Sequence, residues 1–440
     1  MRYRLEQAWL GEGTGIAADV VVEVADGRIT AVTPAVTLAA AVGPDPGVVR
    51  LPGLTLPGLA NAHSHAFHRV LRGRAQGGAG TFWTWREAMY AVAGRLDPDG
   101  YYLLARAVYA EMALAGITCV GEFHYLHHAP GGVRYNDPNT MGHALLAAAH
   151  DAGIRITLLD TLYLTSTVDG QPLAGPQLRF GDGGFEAWAQ RRAELKPGAQ
   201  TLIGAAAHSV RAVPEPDLAA MAGAVTGPIH VHLSEQLAEN EACLGHYGCS
   251  PTELLHRTGL LGPATTAVHA THLSGTDLRL LTAAATAVCL CPTTERDLAD
   301  GIGPAHALHR GGSPICLGSD SQAVVDLFEE ARGVELHERL RSGRRGHFST
   351  AQLLTAATAG GHRSLGWPDA GELRVGARAD LVTVSLDSVR TVGAEPTAAA
   401  VFAAAAADVT HVVVDGRVIV HDGHHVTLDV VADLRAAMGR

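Results

Sequence analysis

Four short apolar runs in the chain end in side chains that bind metals. Leu59-Ala60-Asn61-Ala62 leads into His63-Ser64-His65, a second run ends at His232 with Glu235 three residues on, and a third ends at His269. The fourth, Pro314-Ile315-Cys316-Leu317-Gly318-Ser319, leads to Asp320. Residues two apart in a strand face the same way, so His63 and His65 can grip one ion. Imidazole nitrogens with a carboxylate suit zinc or a similar divalent metal, and an open coordination position makes such a site catalytic rather than structural. Burying Asp320 without a counter-charge is expensive, and a cation supplies one. Glu235, beside His232, is a candidate general acid/base. These residue types in this order predict a metal-dependent hydrolase.

One lysine bears on the number of ions. Lys196 is the only lysine among 33 basic residues, and it precedes Pro197-Gly198, a turn signal. A two-metal centre bridged by a carboxylated lysine at a strand end is therefore not expected, and one metal ion is. Of the 24 histidines, His127, His128, His306, His309, His424 and His425 read as loop or surface residues. Arg211, in His208-Ser209-Val210-Arg211, points a cation toward the same end of the molecule, and a rim salt bridge would explain it equally well. The densest aromatic cluster, Phe82 to Tyr90, reads as a lid or a packing element. Tyr125, after Glu122-Phe123-His124, is within reach of a pocket there.

Positioning these residues takes a scaffold that brings strand ends together. Strand-like runs at 54–62, 117–122, 154–160, 201–207, 228–232, 266–269, 287–290 and 314–319 alternate with helical segments, among them 101–115. Eight strands separated by helices predict an α/β chain built on a (β/α)8 TIM barrel, with its chemistry at the C-terminal strand ends. Short β segments around Asp26-Gly27 and Asp415-Gly416 predict hairpins in a small β-sandwich made by both termini. The expected division is 1–53 with 372–440 for the sandwich and 54–371 for the barrel.

The 440-residue chain is 47% hydrophobic with a net charge of −11, and no basic run suggests a nucleic-acid partner. The first residues lack a signal-peptide pattern. The longest apolar tract, 398–407, is too short to span a bilayer. The six cysteines show no Cys-x-x-Cys pair, and Cys119, Cys289 and Cys316 read as buried reduced thiols, which fits a cytoplasmic location.

The run Leu56-Pro57-Gly58-Leu59-Ala60-Asn61-Ala62-His63-Ser64-His65, the other strand-end residues and Gly376-Ala377-Arg378-Ala379-Asp380-Leu381 resemble the amidohydrolase superfamily across essentially the whole chain. The likeness is to its mononuclear deaminase branch. More narrowly, residues 63–67, 82–90, 122–128, 208–213 and 318–321 resemble the N-formimino-L-glutamate deiminases. The resemblance implies that His63, His65, His232 and Asp320 hold one divalent metal ion, zinc by expectation. It makes Glu235, His269 and Asp320 catalytic, and it assigns Arg86, Tyr125, His208, Arg211 and His269 to a small dianionic substrate. The chain departs from the family's pattern at His68, where a glutamine is expected, but a histidine can still donate to a carboxylate, so His68 joins the expected substrate-binding residues. The implied reaction is hydrolytic deimination of N-formimino-L-glutamate to N-formyl-L-glutamate and ammonia in histidine degradation, by a homodimer. Deamination of a purine, pyrimidine or other heterocycle is the rival within catalysis, and it needs no pair of arginines. A non-catalytic barrel is the rival of another class, free to lose the ligands that this chain keeps.

Overall fold

A computed structural model describes residues 1–34, 47–77 and 79–439. Residues 35–46 of the predicted N-terminal sandwich segment lie outside the described residues. Four strands come first: β1 (Arg2–Trp9), β2 (Ile16–Ala25), β3 (Arg28–Pro34) and β4 (Val48–Pro57). The barrel follows with β5 (Leu59–Ser64), β6 (Ile117–His124), β7 (Arg155–Leu162), β8 (Thr201–Ala207), β9 (Ile229–Leu233), β10 (Thr265–His269), β11 (Ala287–Leu290) and β12 (Ile315–Leu317). Each pairs in parallel with the next. Every residue of β5, β6, β7, β9, β10, β11 and β12 is buried. That is why these strands read as continuous apolar runs and not as alternating ones.

The ring closes where Ser64 bridges Asp320 in parallel, with Asp320 N donating to the His63 carbonyl at 3.0 Å and His65 N donating to the Asp320 carbonyl at 3.2 Å. Closure needs Gly318. A Cβ there would sit 2.8 Å from the Cβ and the carbonyl oxygen of His63.

After the barrel come β13 (Leu381–Val384), β14 (Val409–Val414), β15 (Arg417–His421) and β16 (His424–His425). They join the first four in one eight-stranded mixed sheet of order β16-β15-β14-β13-β4-β1-β2-β3. Asp26-Gly27 and Asp415-Gly416 both turn with positive φ, at 49° and 74° and at 46° and 74°, as two-residue hairpin loops require. The sheet folds over so that the two hairpin tips touch, and a Cβ on Gly416 would lie 2.6 Å from Val24 Cγ1. Tyr3, Leu5, Val22, Leu51, Leu381 and Val413 fill the second core this creates. Buried Arg155 of β7 pins the sheet beneath the barrel through Asp380 and Asp415.

The helix expected over 101–115 is observed as Pro98–Leu114, started by Asp97, whose side chain accepts from Gly100 N. Two expectations need correction. The run 54–62 is not one strand: it divides at Gly58, its first part pairing in the terminal sheet as β4 and its second opening the barrel as β5. A Cβ on Gly58 would meet Thr118 Oγ1 at 2.3 Å, so the chain passes between the layers only as glycine. His127 and His128 are not surface residues but 1% exposed. They belong to a buried polar cluster in which Arg191 pairs with Asp160 and Asp182, and His128 Nε2 lies 3.0 Å from Asp182. Among the described residues no helix is long and apolar enough to cross a membrane.

Candidate active site

The C-terminal strand ends deliver the predicted side chains to one cavity. His65, His68, Arg86, Tyr125, His208, Arg211, His232, Glu235, His269 and Asp320 all line it, and His63 lies beneath. Several of these strand ends adopt positive φ without glycine: Ser234 at 52°, His269 at 69°, Ala270 at 52°, Asp320 at 38° and Gln322 at 59°. Such conformations cost on the order of 1–3 kcal/mol each and persist where surrounding contacts enforce them.

The imidazoles are oriented by backbone carbonyls. His65 Nδ1 lies 2.9 Å from the Phe123 carbonyl and His232 Nδ1 lies 2.9 Å from the His208 carbonyl. A carbonyl only accepts, so both Nδ1 atoms carry the proton and both Nε2 atoms present lone pairs. Those lone pairs converge. His232 Nε2 is 3.2 Å from His63 Nε2, while Asp320 Oδ1 is 3.3 Å from His63 Nε2 and 3.4 Å from His65 Nε2. Metal–ligand bonds of about 2.0–2.1 Å at tetrahedral angles put ligand atoms roughly 3.3 Å apart. Lone pairs facing a carboxylate repel unless a cation sits among them, so these residues fit a divalent ion.

Burial holds His63, His65 and His232 below their ordinary range and hence neutral, the form a metal needs. Burial opposes ionisation of Asp320, but its contact with His63 and the positive charge of His269 keep it well below the usual carboxylate range.

A hydrogen-bonded shelf fixes the His-x-His turn. Glu122 accepts from Ser64 Oγ at 2.8 Å and from Ala66 N at 2.7 Å, and Gln322 Nε2 donates to Ser64 Oγ at 2.8 Å. Asn61 and Ser319 exchange two further bonds.

Beyond the convergent set sit Glu235 and His269, with Oε1 and Nε2 3.8 Å apart. Burial pushes the Glu235 carboxyl up to about 7, against the pull of His269. Burial would lower His269, but Glu235, Glu295 and Asp320 raise it above its ordinary value. His269 thus faces three carboxylates, which marks it as a charge-bearing neighbour of the convergent set, although its ligating nitrogen falls within 4.8 Å of theirs. His68 Nε2 lies 3.0 Å from the Tyr125 hydroxyl, and burial pushes its imidazole down to about 3. Lys196 is exposed, its Nζ on the Ala193 carbonyl, away from the barrel mouth.

The aromatic cluster is a helix, α1 (Phe82–Ala93), whose face of Phe82, Trp85, Arg86 and Met89 looks into the cavity. Arg86 stacks on Trp83 at 4.6 Å and on Tyr90 at 5.3 Å. Its Nη1 is buried with no hydrogen-bond partner among the described residues. Arg211 Nη1 donates to the Tyr163 hydroxyl at 3.0 Å, and its Nε is 3.8 Å from Glu239. Sequence reasoning missed Tyr163, Phe180 and Leu298 in the wall, as well as Glu239, Glu295 and Gln177 behind it. Tyr163 alone carried a signal, since it directly follows the end of β7.

Residues 54–419 match the model of the amidohydrolase family. The chain belongs to that family. It is 36% identical to a formimidoylglutamate deiminase of Pseudomonas aeruginosa, over 86% of this chain and 87% of that protein. It is 31% identical to an 8-oxoguanine deaminase of the same species, over 86% and 85%. Among solved structures, an amidohydrolase from Brucella melitensis superposes with a TM-score of 0.87 at 30% identity, covering 100% of this chain and 99% of its own. The amidohydrolase fold is also that of an adenosine deaminase from Xanthomonas campestris with bound zinc, at a TM-score of 0.87 and 24% identity, covering 100% and 97%. As a family member with deaminase relatives, the chain is a hydrolase acting on C–N bonds.

Proposed function

We propose that this amidohydrolase deiminates N-formimino-L-glutamate, releasing N-formyl-L-glutamate and ammonia. The observation that carries the reading is a pocket with two arginines, one of which, Arg86, has a buried Nη1 without a hydrogen-bond partner among the described residues. A buried guanidinium edge without a partner calls for an anion, and a second cation in the same pocket, Arg211, suits a substrate with two carboxylates. A heterocycle offers neither charge. The name of the P. aeruginosa relative supports the same substrate.

In this reading His63, His65, His232 and Asp320 hold one divalent ion, zinc by expectation. Such an ion lowers the pKa of a bound water to about 7 and supplies a nucleophile near neutral pH. Asp320 accepts a proton from the attacking water. Glu235, with its carboxyl near 7, carries a proton to the imino nitrogen, so that ammonia leaves in place of an amide anion. His269, positively charged among its carboxylates, stabilises the negative charge that builds at the reacting carbon's oxygen. Arg86 and Arg211 take the carboxylates, and Tyr125, His208 and His68 line the space between. His68 is neutral, so it contributes a hydrogen bond and no charge.

Two outcomes are expected. Metal analysis of purified protein gives about one tightly held divalent ion per chain, and two would overturn the single-ion reading. N-formyl-L-glutamate, the product, raises Tm, because a ligand at about 100 times its Kd adds roughly 2.7 kcal/mol of stability. Guanine does not. A shift with guanine and none with the product would favour a heterocycle substrate.

A further inference from the structure

Arg211 and Arg86 sit on separate elements, one in the loop after β8 and the other on α1. Helix α1 buries only Met89 and Ala93 of its 12 residues, so apolar packing locates it weakly. Two polar ties reach its C-terminal half from the short turn of 3-10 helix Gly175–Arg179. Buried Arg179 donates to the carbonyls of Ala93, Leu96 and His128, clasping the C-terminal end of α1. Gln177, 6% exposed, reaches two phenols at once: its Nε2 lies 3.1 Å from the Tyr90 hydroxyl and 3.2 Å from the Tyr163 hydroxyl.

The Tyr163 hydroxyl holds Arg211 Nη1, and Tyr90 lies one helical turn beyond Arg86 with its ring against that guanidinium. An unbroken line of side chains, Arg211–Tyr163–Gln177–Tyr90, therefore joins the two cations across the cavity wall. Gln177 is neutral, so it ties the two phenols without changing the charge of the subsite. Glu239 flanks Arg211 from the other side, leaving the remaining guanidinium edge for a ligand.

We propose that Gln177 is a positioning residue that sets the separation of the two carboxylate-binding arginines and so makes the site selective for the length of a dianionic substrate. This rests on the dicarboxylate reading above. The substrate's two carboxylates are fixed to its own carbon chain, so a change of one methylene is felt only if the arginines cannot follow.

The test compares N-formimino-L-glutamate with N-formimino-L-aspartate, which is one methylene shorter. Gln177→Met keeps the side-chain length but removes both hydrogen bonds. It should raise KM for the glutamate compound about tenfold, act on KM far more than on kcat, and shrink the preference for the longer substrate. Tyr90→Phe breaks the same tie from the helix side and should shift the preference the same way. Gln177→Glu still bridges both hydroxyls, as an acceptor. It should weaken both substrates alike through its charge yet keep the length preference. An unchanged preference and KM in Gln177→Met and Tyr90→Phe, with active wild-type enzyme, would overturn this inference alone. Wild-type enzyme inert on both compounds would overturn the dicarboxylate reading and this inference with it.

Discussion

Glu235→Gln is expected to lower kcat by about 10²–10⁴-fold while leaving metal content unchanged. Glu235 stands outside the convergent set of His63, His65, His232 and Asp320, with its carboxyl 3.8 Å from His269 Nε2. The amide keeps the shape and the hydrogen-bonding reach but cannot take up and release a proton. Burial has raised the acid to about 7, where it can do both near neutral pH, and glutamine forfeits that. Steady-state kinetics with metal analysis of the same sample checks this. A near-normal kcat would assign the proton transfer to another group.

Arg211→Met should cost roughly 2–5 kcal/mol in kcat/KM for N-formimino-L-glutamate. The substitution leaves one substrate carboxylate unpaired in the pocket and leaves the metal-binding geometry intact. Arg211→Lys should recover only part of the loss, because an ammonium cannot reproduce the planar fork. On an amidine without carboxylates, the loss should be much smaller. Equal losses on both compounds would mean that Arg211 serves the fold, and its pairing with substrate would have to be abandoned.

The sequence showed the barrel clearly where strands are buried on both faces. The run 287–290 is the observed β11, buried throughout, because nothing polar interrupts it. It misled where a charge lies inside a strand. Glu122 and Asp160 read as strand ends, yet β6 continues to His124 and β7 to Leu162. Asp160 can stay inside because Arg191 donates to both its oxygens, at 2.7 and 2.9 Å, and Glu122 because Ser64 and Ala66 donate to it. Ending β7 early hid Tyr163, the residue that holds Arg211.

The strand-end histidines, Glu235 and Asp320 were legible because barrel topology sends strand ends to one mouth. Gln177, Glu239 and Glu295 were not, since they reach the site from helices and connecting turns whose packing no local pattern specifies. The same holds for His127 and His128, placed by a loop but buried by a partner 50 residues on, Arg179, whose carbonyl accepts from both backbone amides.

The proposed function is tested most directly by ammonia release from N-formimino-L-glutamate and from 8-oxoguanine, measured on the same metal-replete enzyme. Expected from the first compound are equimolar ammonia and N-formyl-L-glutamate, with a kcat/KM at least about 10³-fold above that for the second, since an uncharged ring leaves both arginines unpaired. Rapid ammonia release from 8-oxoguanine with N-formimino-L-glutamate left intact would contradict it.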